Sequence, residues 1–209
     1  MFNYNALKTS LDELAESRDS RLDLLNDPIR FPKRCASPHD QEVIALYSAL
    51  LAYGRVSAIG ASIEIFIERA GAGCAQRIKE DTPEEATARF EGFVYRFTRG
   101  ADLAKLWVGL GGVLRRYGSI GEAFSVWDQR YPHSPSLLPH LTHFFEDVCS
   151  ESEMMSGGRG FNHFFSDPKR GSALKRFNLF LRWMVRPADG VDLGVWSHLG
   201  AHRLLIPLD

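Results

Sequence analysis

The chain has 209 residues, 44% of them hydrophobic and 24% charged, with a formal net charge of −1. This composition supports a packed core. No stretch approaches the ~18 uninterrupted apolar residues of a membrane span, and the opening residues, with Asn3, Asn5, Lys8 and Asp12, do not form a signal peptide pattern.

In chain order, Leu7, Leu11, Leu14, Leu22 and Leu25 predict one or two N-terminal helices. Residues 27–40 hold three prolines and form a loop. Asp40 then caps a helix carrying Val43, Ile44, Tyr47, Leu50 and Leu51 at 3-4 spacing, with Gly54 ending it. A second helix over Ile59 to Ala70 stops in the GAG of 71–73, so the pair makes a helical hairpin with a very short connection. The stripe Leu103, Leu106, Trp107, Leu110, Val113, Leu114 predicts a further helix ending near Gly118. Ile120–Trp127 and Leu137–Val148 complete the middle of the chain, and no period-2 alternation predicts a substantial sheet. The fold class is therefore all-α. The expected division is 1–38 (N-terminal helices and loop), 39–150 (helical domain), 151–160 (polar Gly-rich linker) and 161–209 (basic segment).

Three scattered cysteines, Cys35, Cys74 and Cys149, suit reduced, buried thiols in a cytoplasm. His140, His143 and Glu146 share a helix face but read as ordinary surface or core residues, and no metal is expected. The four tryptophans are expected mostly in the core, with Trp183 also placed to flank a basic face.

Charge is unevenly distributed. Residues 158–209 hold eight Lys/Arg against four Asp/Glu, whereas residues 1–157 hold 17 against 22. The local cluster points to an anionic partner. Within it a helix from about Ala173 places Leu174, Phe177, Phe180, Leu181, Met184 and Val185 on one side. Lys175, Arg182 and Arg186 lie on the other, all of one sign, where a merely solvated face would mix signs. Before the helix, Pro168 to Ser172 would present backbone N–H groups beside Lys169 and Arg170, a phosphate-binding arrangement, with Gly171 permitting close approach. Lys175 falls in the first helical turn, where the dipole and neighbouring Lys169, Arg170 and Arg176 oppose its charge. It acts there as a nucleophile, or else it holds a phosphate or extends into water.

A basic turn, a Lys opening an amphipathic helix and a later apolar-Pro-x-Asp (LLIPLD) resemble the helix-hairpin-helix glycosylases of the HhH-GPD superfamily. KRFNLFLRWMVR, DLGVW, LYSALLAYGR and RFTRGADL are similar to an uncharacterised bacterial family related to that superfamily, a domain of unknown function, over about Asp40 to Asp209. The resemblance implies a helix-hairpin-helix glycosylase-like bundle acting on duplex DNA with a damaged base, without a cofactor. It assigns Asp209 as the carboxylate stabilising charge at the sugar C1′ and Lys175 as the attacking amine. Lys169, Arg170, Gly171 and Ser172 would grip phosphate, joined in DNA binding by Arg176, Arg182, Tyr53 and Arg55. The superfamily's Thr-His does not follow Asp209, so the chain is expected to be a C-terminally truncated member. Two further readings remain: a DNA- or RNA-binding module without chemistry, and a helical protein-interaction protein.

Overall fold

A computed structural model describes residues 4–17, 24–157 and 160–206, and helices carry nearly all of the regular structure. Tyr4–Ser17 is α1. Its Leu7, Leu11 and Leu14 are exposed, and Leu22 lies outside the described residues. The proline-rich loop contains two short 3-10 turns, Pro28–Arg30 and Pro32–Arg34. The elements that follow are α2 (Pro38–Leu51), α3 (Val56–Ala70), α4 (Cys74–Glu80) and α5 (Pro83–Arg89). A two-stranded hairpin, β1 (Val94–Tyr95) and β2 (Thr98–Arg99), precedes α6 (Gly100–Tyr117), α7 (Ile120–Arg130) and α8 (Leu138–Glu151). Last come α9 (Phe161–Phe164) and α10 (Lys175–Val185).

Helix α2 is the spine. Every residue from Glu42 to Leu51 is buried, so the helix is covered on all sides, not only along the 3-4 stripe. Helix α10 packs along it, and α3, α4, α7 and the two 3-10 turns close the remaining sides. Tyr47 stacks on Phe66 at 4.0 Å and donates its hydroxyl to the carbonyl of Leu103 at 3.2 Å, linking α2 to α6. Helix α6 reaches its neighbours through glycine. A Cβ at Gly109 would stand 2.3 Å from the Val148 carbonyl of α8, and one at Gly111 2.2 Å from the Ile78 carbonyl of α4. Larger residues there would force the helices apart.

The start of α2 differs from the sequence expectation. Ser37 is its N-cap and Pro38 its first residue, so Asp40 sits inside the helix. Its carboxylate accepts the Ala75 N–H at 2.8 Å and thereby caps α4, whose own N-cap is Gly73. One turn's worth of acid serves two helices, because Glu42 does the same for α7. It accepts the N–H groups of Ile120 and Gly121 at 2.8 and 3.1 Å, and also the Trp196 indole N–H at 2.7 Å. Burial pushes the Glu42 carboxyl upward, while the three donors pull it back.

All four tryptophans are buried, which corrects the placement of Trp183 beside a basic face: its ring faces the core. Among the described residues no helix is long and apolar enough to cross a membrane, and no group of three or more His, Cys, Asp or Glu is placed to hold a metal. Burial raises all three thiols, Cys35 to about 11, so they are protonated and unreactive at neutral pH. His140 is fully buried and bonds Asp128 at 3.1 Å, with Arg203 on the same carboxylate. This ties the Ala201–Arg203 turn to α7 and α8.

Two stability outcomes follow from these contacts. Glu42→Ala leaves three buried donors without an acceptor and should cost about 3 kcal/mol in chemical denaturation; a loss under ~1 kcal/mol would show that the cap does not matter. Burial lowers the His140 pKa, and the Arg203 and His140 hydrogen bonds outweigh burial to lower that of Asp128. Both groups are depressed in the fold, so both contributions are present at neutral pH. That of His140 is lost as pH falls below about 6.5, its ordinary value, and that of Asp128 at lower pH. His140→Gln should therefore remove the upper step of the stability–pH curve.

Candidate nucleic-acid interface

The segment before α10 is a series of local constraints. Asp167 accepts the Lys169 N–H at 2.8 Å and caps a 3-10 turn, Pro168–Arg170. Gly171 follows at φ 70°, and Ser172 Oγ accepts the Leu174 N–H at 3.3 Å. Leu174, at φ 50°, takes a left-handed conformation that a branched residue adopts only when surroundings compel it. Two things compel it: Leu174 is buried, and Asn178 Nδ2 bonds the carbonyls of Ala173 and Leu174, each at 3.2 Å. Helix α10 consequently begins at Lys175, two residues later than the hydrophobic pattern suggests, and Lys175 is its first residue.

The bases of this region fall into two groups. In the first, each base meets a carboxylate. Lys169 Nζ lies 2.5 Å from Glu146 of α8, and Arg170 lies 3.6 Å from Asp167. Arg182 and Arg186 share Asp192, at 3.4 and 3.3 Å, and Arg186 also reaches Asp189 at 3.5 Å. The Asp192 side chain is fully buried, and burial pushes its carboxyl up against the pull of the two guanidiniums. The stripe that looks single-signed along α10 is thus matched by acids of the following loop. That loop is held by the N–H groups of Leu193 and Gly194 on the Trp183 carbonyl and of Trp196 on that of Met184.

In the second group the partners are carbonyls and rings. Arg176 donates to the Leu50 carbonyl at the end of α2 at 2.7 Å, donates to the His163 carbonyl, and lies 5.0 Å from the Tyr53 ring. Burial lowers its pKa. Arg99 donates to the Arg96 carbonyl at 2.7 Å, and Arg96 lies over the rings of Tyr53 and Phe97. Among the described residues no ion pair involves Arg55, Arg96, Arg99 or Arg176. Tyr53 is the organiser. Its hydroxyl lies 2.9 Å from Thr98 Oγ1 and 3.1 Å from the Tyr95 carbonyl, while Tyr95 returns a bond to the Tyr53 carbonyl. The α2–α3 turn and the β-hairpin are clasped together. His163 meets Tyr53 and Phe97 edge-on, and burial, Arg176 and Arg96 lower its pKa.

Three clefts run along this surface. One of about 560 Å³ is lined by Phe97, Arg99, Gly160 and His163. The next, about 270 Å³, is lined by His163, Ser172, Lys175 and Arg176, among others. The third, about 440 Å³, is lined by Lys175, Asn178, Arg182 and Arg186 facing Leu204, Leu205 and Ile206. Successive clefts share a lining residue, His163 and then Lys175, and this row of adjoining clefts, the groove, has a base in the lining of each. The structure therefore brings Lys175, Arg176, Arg182, Ser172 and Tyr53 to one surface. Lys169 and Arg170 stand by their acids, Arg55 is exposed on the turn after Tyr53, and Asp209 lies outside the described residues. Arg96, Phe97, Arg99 and His163 were not singled out from the sequence. Strands of two residues have no readable period, and the only local signal was RFTRG.

The chain belongs to a family described as "Protein of unknown function (DUF2400)". Its model matches residues 27–209, a span that holds the whole groove and leaves α1 outside. No curated protein and no solved structure matches the chain. Kinship thus gives no activity, and the groove itself is the functional evidence.

Arg96, at φ 51°, occupies a turn position that normally favours glycine. Arg96→Gly should raise stability by about 1 kcal/mol, read as a higher urea midpoint with an unchanged slope. A lower midpoint would show that the arginine's ring contacts outweigh its backbone strain.

Proposed function

We propose that the chain binds DNA along this groove and that Lys175, where two clefts meet, excises a damaged base. The observation that supports binding is the run of clefts that share His163 and Lys175 and are lined by Arg99 and Arg176, with the acid-paired Arg182 and Arg186 at one end. A polyanion would meet several cations there, whereas one small ligand would occupy a single cleft. The finer fold reading, a helix-hairpin-helix glycosylase-like bundle, and the excision chemistry both rest on the sequence resemblance.

The chemistry is a displacement at the sugar C1′. The Lys175 amine forms an N–C1′ bond as the glycosidic C–N bond breaks, and the departing base keeps the electron pair and takes up a proton. The nitrogen lone pair then displaces O4′, which takes up a proton as the sugar ring opens to an iminium, and loss of the C2′ proton expels the 3′ phosphate with its bonding electron pair. Asp209 would stabilise positive charge at C1′. A second reading is binding without excision, in which Lys175 and Arg176 hold the backbone only.

Two measurements separate these readings. Duplex affinity should fall steeply with salt, with a log–log slope of about −3 or steeper if four or so phosphates are contacted. A flat dependence defeats both. On duplex carrying an oxidised base, borohydride should trap a covalent adduct in wild type and none in Lys175→Ala. Absence of an adduct in wild type, or an equal adduct in the variant, defeats excision through Lys175 and leaves the binding reading.

A further inference from the structure

The tip of the β-hairpin is unlike the rest of the groove. The strands pair Val94 with Arg99 and Tyr95 with Thr98, leaving Arg96 and Phe97 as a two-residue turn. Phe97 is 60% exposed, although the chain buries most of its phenylalanines. Contacts with His163 and Arg96 leave most of the Phe97 ring in solvent, and Arg96 holds a left-handed turn position that favours glycine. An unfavourable residue at each of two adjacent positions points to a ligand as the reason for both.

Their surroundings indicate what kind of ligand. The Arg96 guanidinium lies 6.0 Å from the Phe97 ring centre, and the His163 ring meets Phe97 at 5.2 Å, 78° from coplanar. The hairpin is held to the α2–α3 turn by the Tyr53 and Tyr95 hydroxyls, so the ring is presented rigidly. A flat apolar surface among cations, at the mouth of a cationic groove, complements a nucleotide: an aromatic base joined to a phosphate. A fully paired duplex offers its base faces only at its ends, because each is stacked on the next. An exposed protein ring gains stacking energy only from a base that has left the stack.

Resting on the DNA-binding reading above, we infer that the Arg96–Phe97 tip is a stacking platform for an unpaired nucleobase, and that the substrate class is DNA with locally single-stranded character. Phe97 supplies the face, and Arg96 and Arg99 supply charge for the flanking phosphates. The platform selects exposed bases, while the groove beyond it holds the backbone whatever its sequence.

The test compares wild type with Phe97→Ala on three fluorescently labelled oligonucleotides of equal length. These are a mixed-sequence single strand, the same strand built wholly from tetrahydrofuran abasic units, and a duplex closed at both ends by non-nucleotide linkers. Phe97→Ala should weaken the single strand roughly tenfold, the loss of one stacked base, and leave the abasic strand and closed duplex within about twofold. Phe97→Trp should restore single-strand affinity. Phe97 is exposed, so an unchanged thermal midpoint should accompany the loss. An equal loss on all three ligands, or none on the single strand, overturns the platform while the salt-dependent duplex binding still stands. Failure of every ligand to bind wild type overturns the DNA-binding reading with it.

Discussion

Two carboxylates near the start of α2, Asp40 in its first turn and Glu42 just beyond it, govern how the bundle is assembled. Asp40 and Glu42 accept N–H groups from the starts of α4 and α7, where each helix carries unsatisfied donors and the positive end of its dipole. Neither recipient helix supplies an acid of its own for this contact. A buried carboxylate is stable only when its lone pairs are filled, and Glu42 fills its own from two backbone N–H groups and the Trp196 indole. Glu42 thus joins α2, the start of α7 and the C-terminal segment bearing Trp196 through one side chain. The other end of the same helix delivers the Leu50 carbonyl to Arg176 and turns into Tyr53. Capping at one end of α2 and groove geometry at the other are mechanically continuous through ten buried residues.

The helices with strong periodicity were legible in the sequence, because α2, α3, α6, α7 and α8 each keep an apolar face of several turns. What was illegible was mostly non-local. Asp40 looks like an N-cap for the helix that follows it and instead caps one beginning 34 residues later, a choice visible only once the chain is folded. The start of α10 was misplaced because Leu174 is apolar and in phase, while its left-handed backbone depends on tertiary burial and on Asn178.

The same reason accounts for the basic stripe. A helical wheel shows Lys175, Arg182 and Arg186 together and omits every residue that other segments bring. Asp189 and Asp192 lie only a few positions beyond the helix, yet the chain must reverse at 187–191 to set them against Arg182 and Arg186. The resulting pairs retain partly exposed guanidiniums on a surface with much of its charge neutralised. Sequence charge alone overstated that part of the site and understated the β-hairpin, whose arginines are scattered among Tyr95, Phe97 and Thr98.

Partner type separates a structural base from a ligand-directed one. A carboxylate cancels an arginine's field, whereas a carbonyl or ring holds the guanidinium in place and leaves its net charge intact. Arg176 illustrates the cost of the second arrangement. It is largely desolvated, and burial lowers its pKa, so the fold maintains a cation where a neutral residue would be easier to keep. His163 is biased toward its neutral form, first by burial and then by the neighbouring Arg176 and Arg96. If DNA is bound there as proposed, a phosphate would supply a counter-charge to Arg176 and Arg96 and would favour the protonated form of His163. On the DNA-binding proposal, a phosphate beside Arg176 would offset part of the desolvation that the fold imposes on that guanidinium.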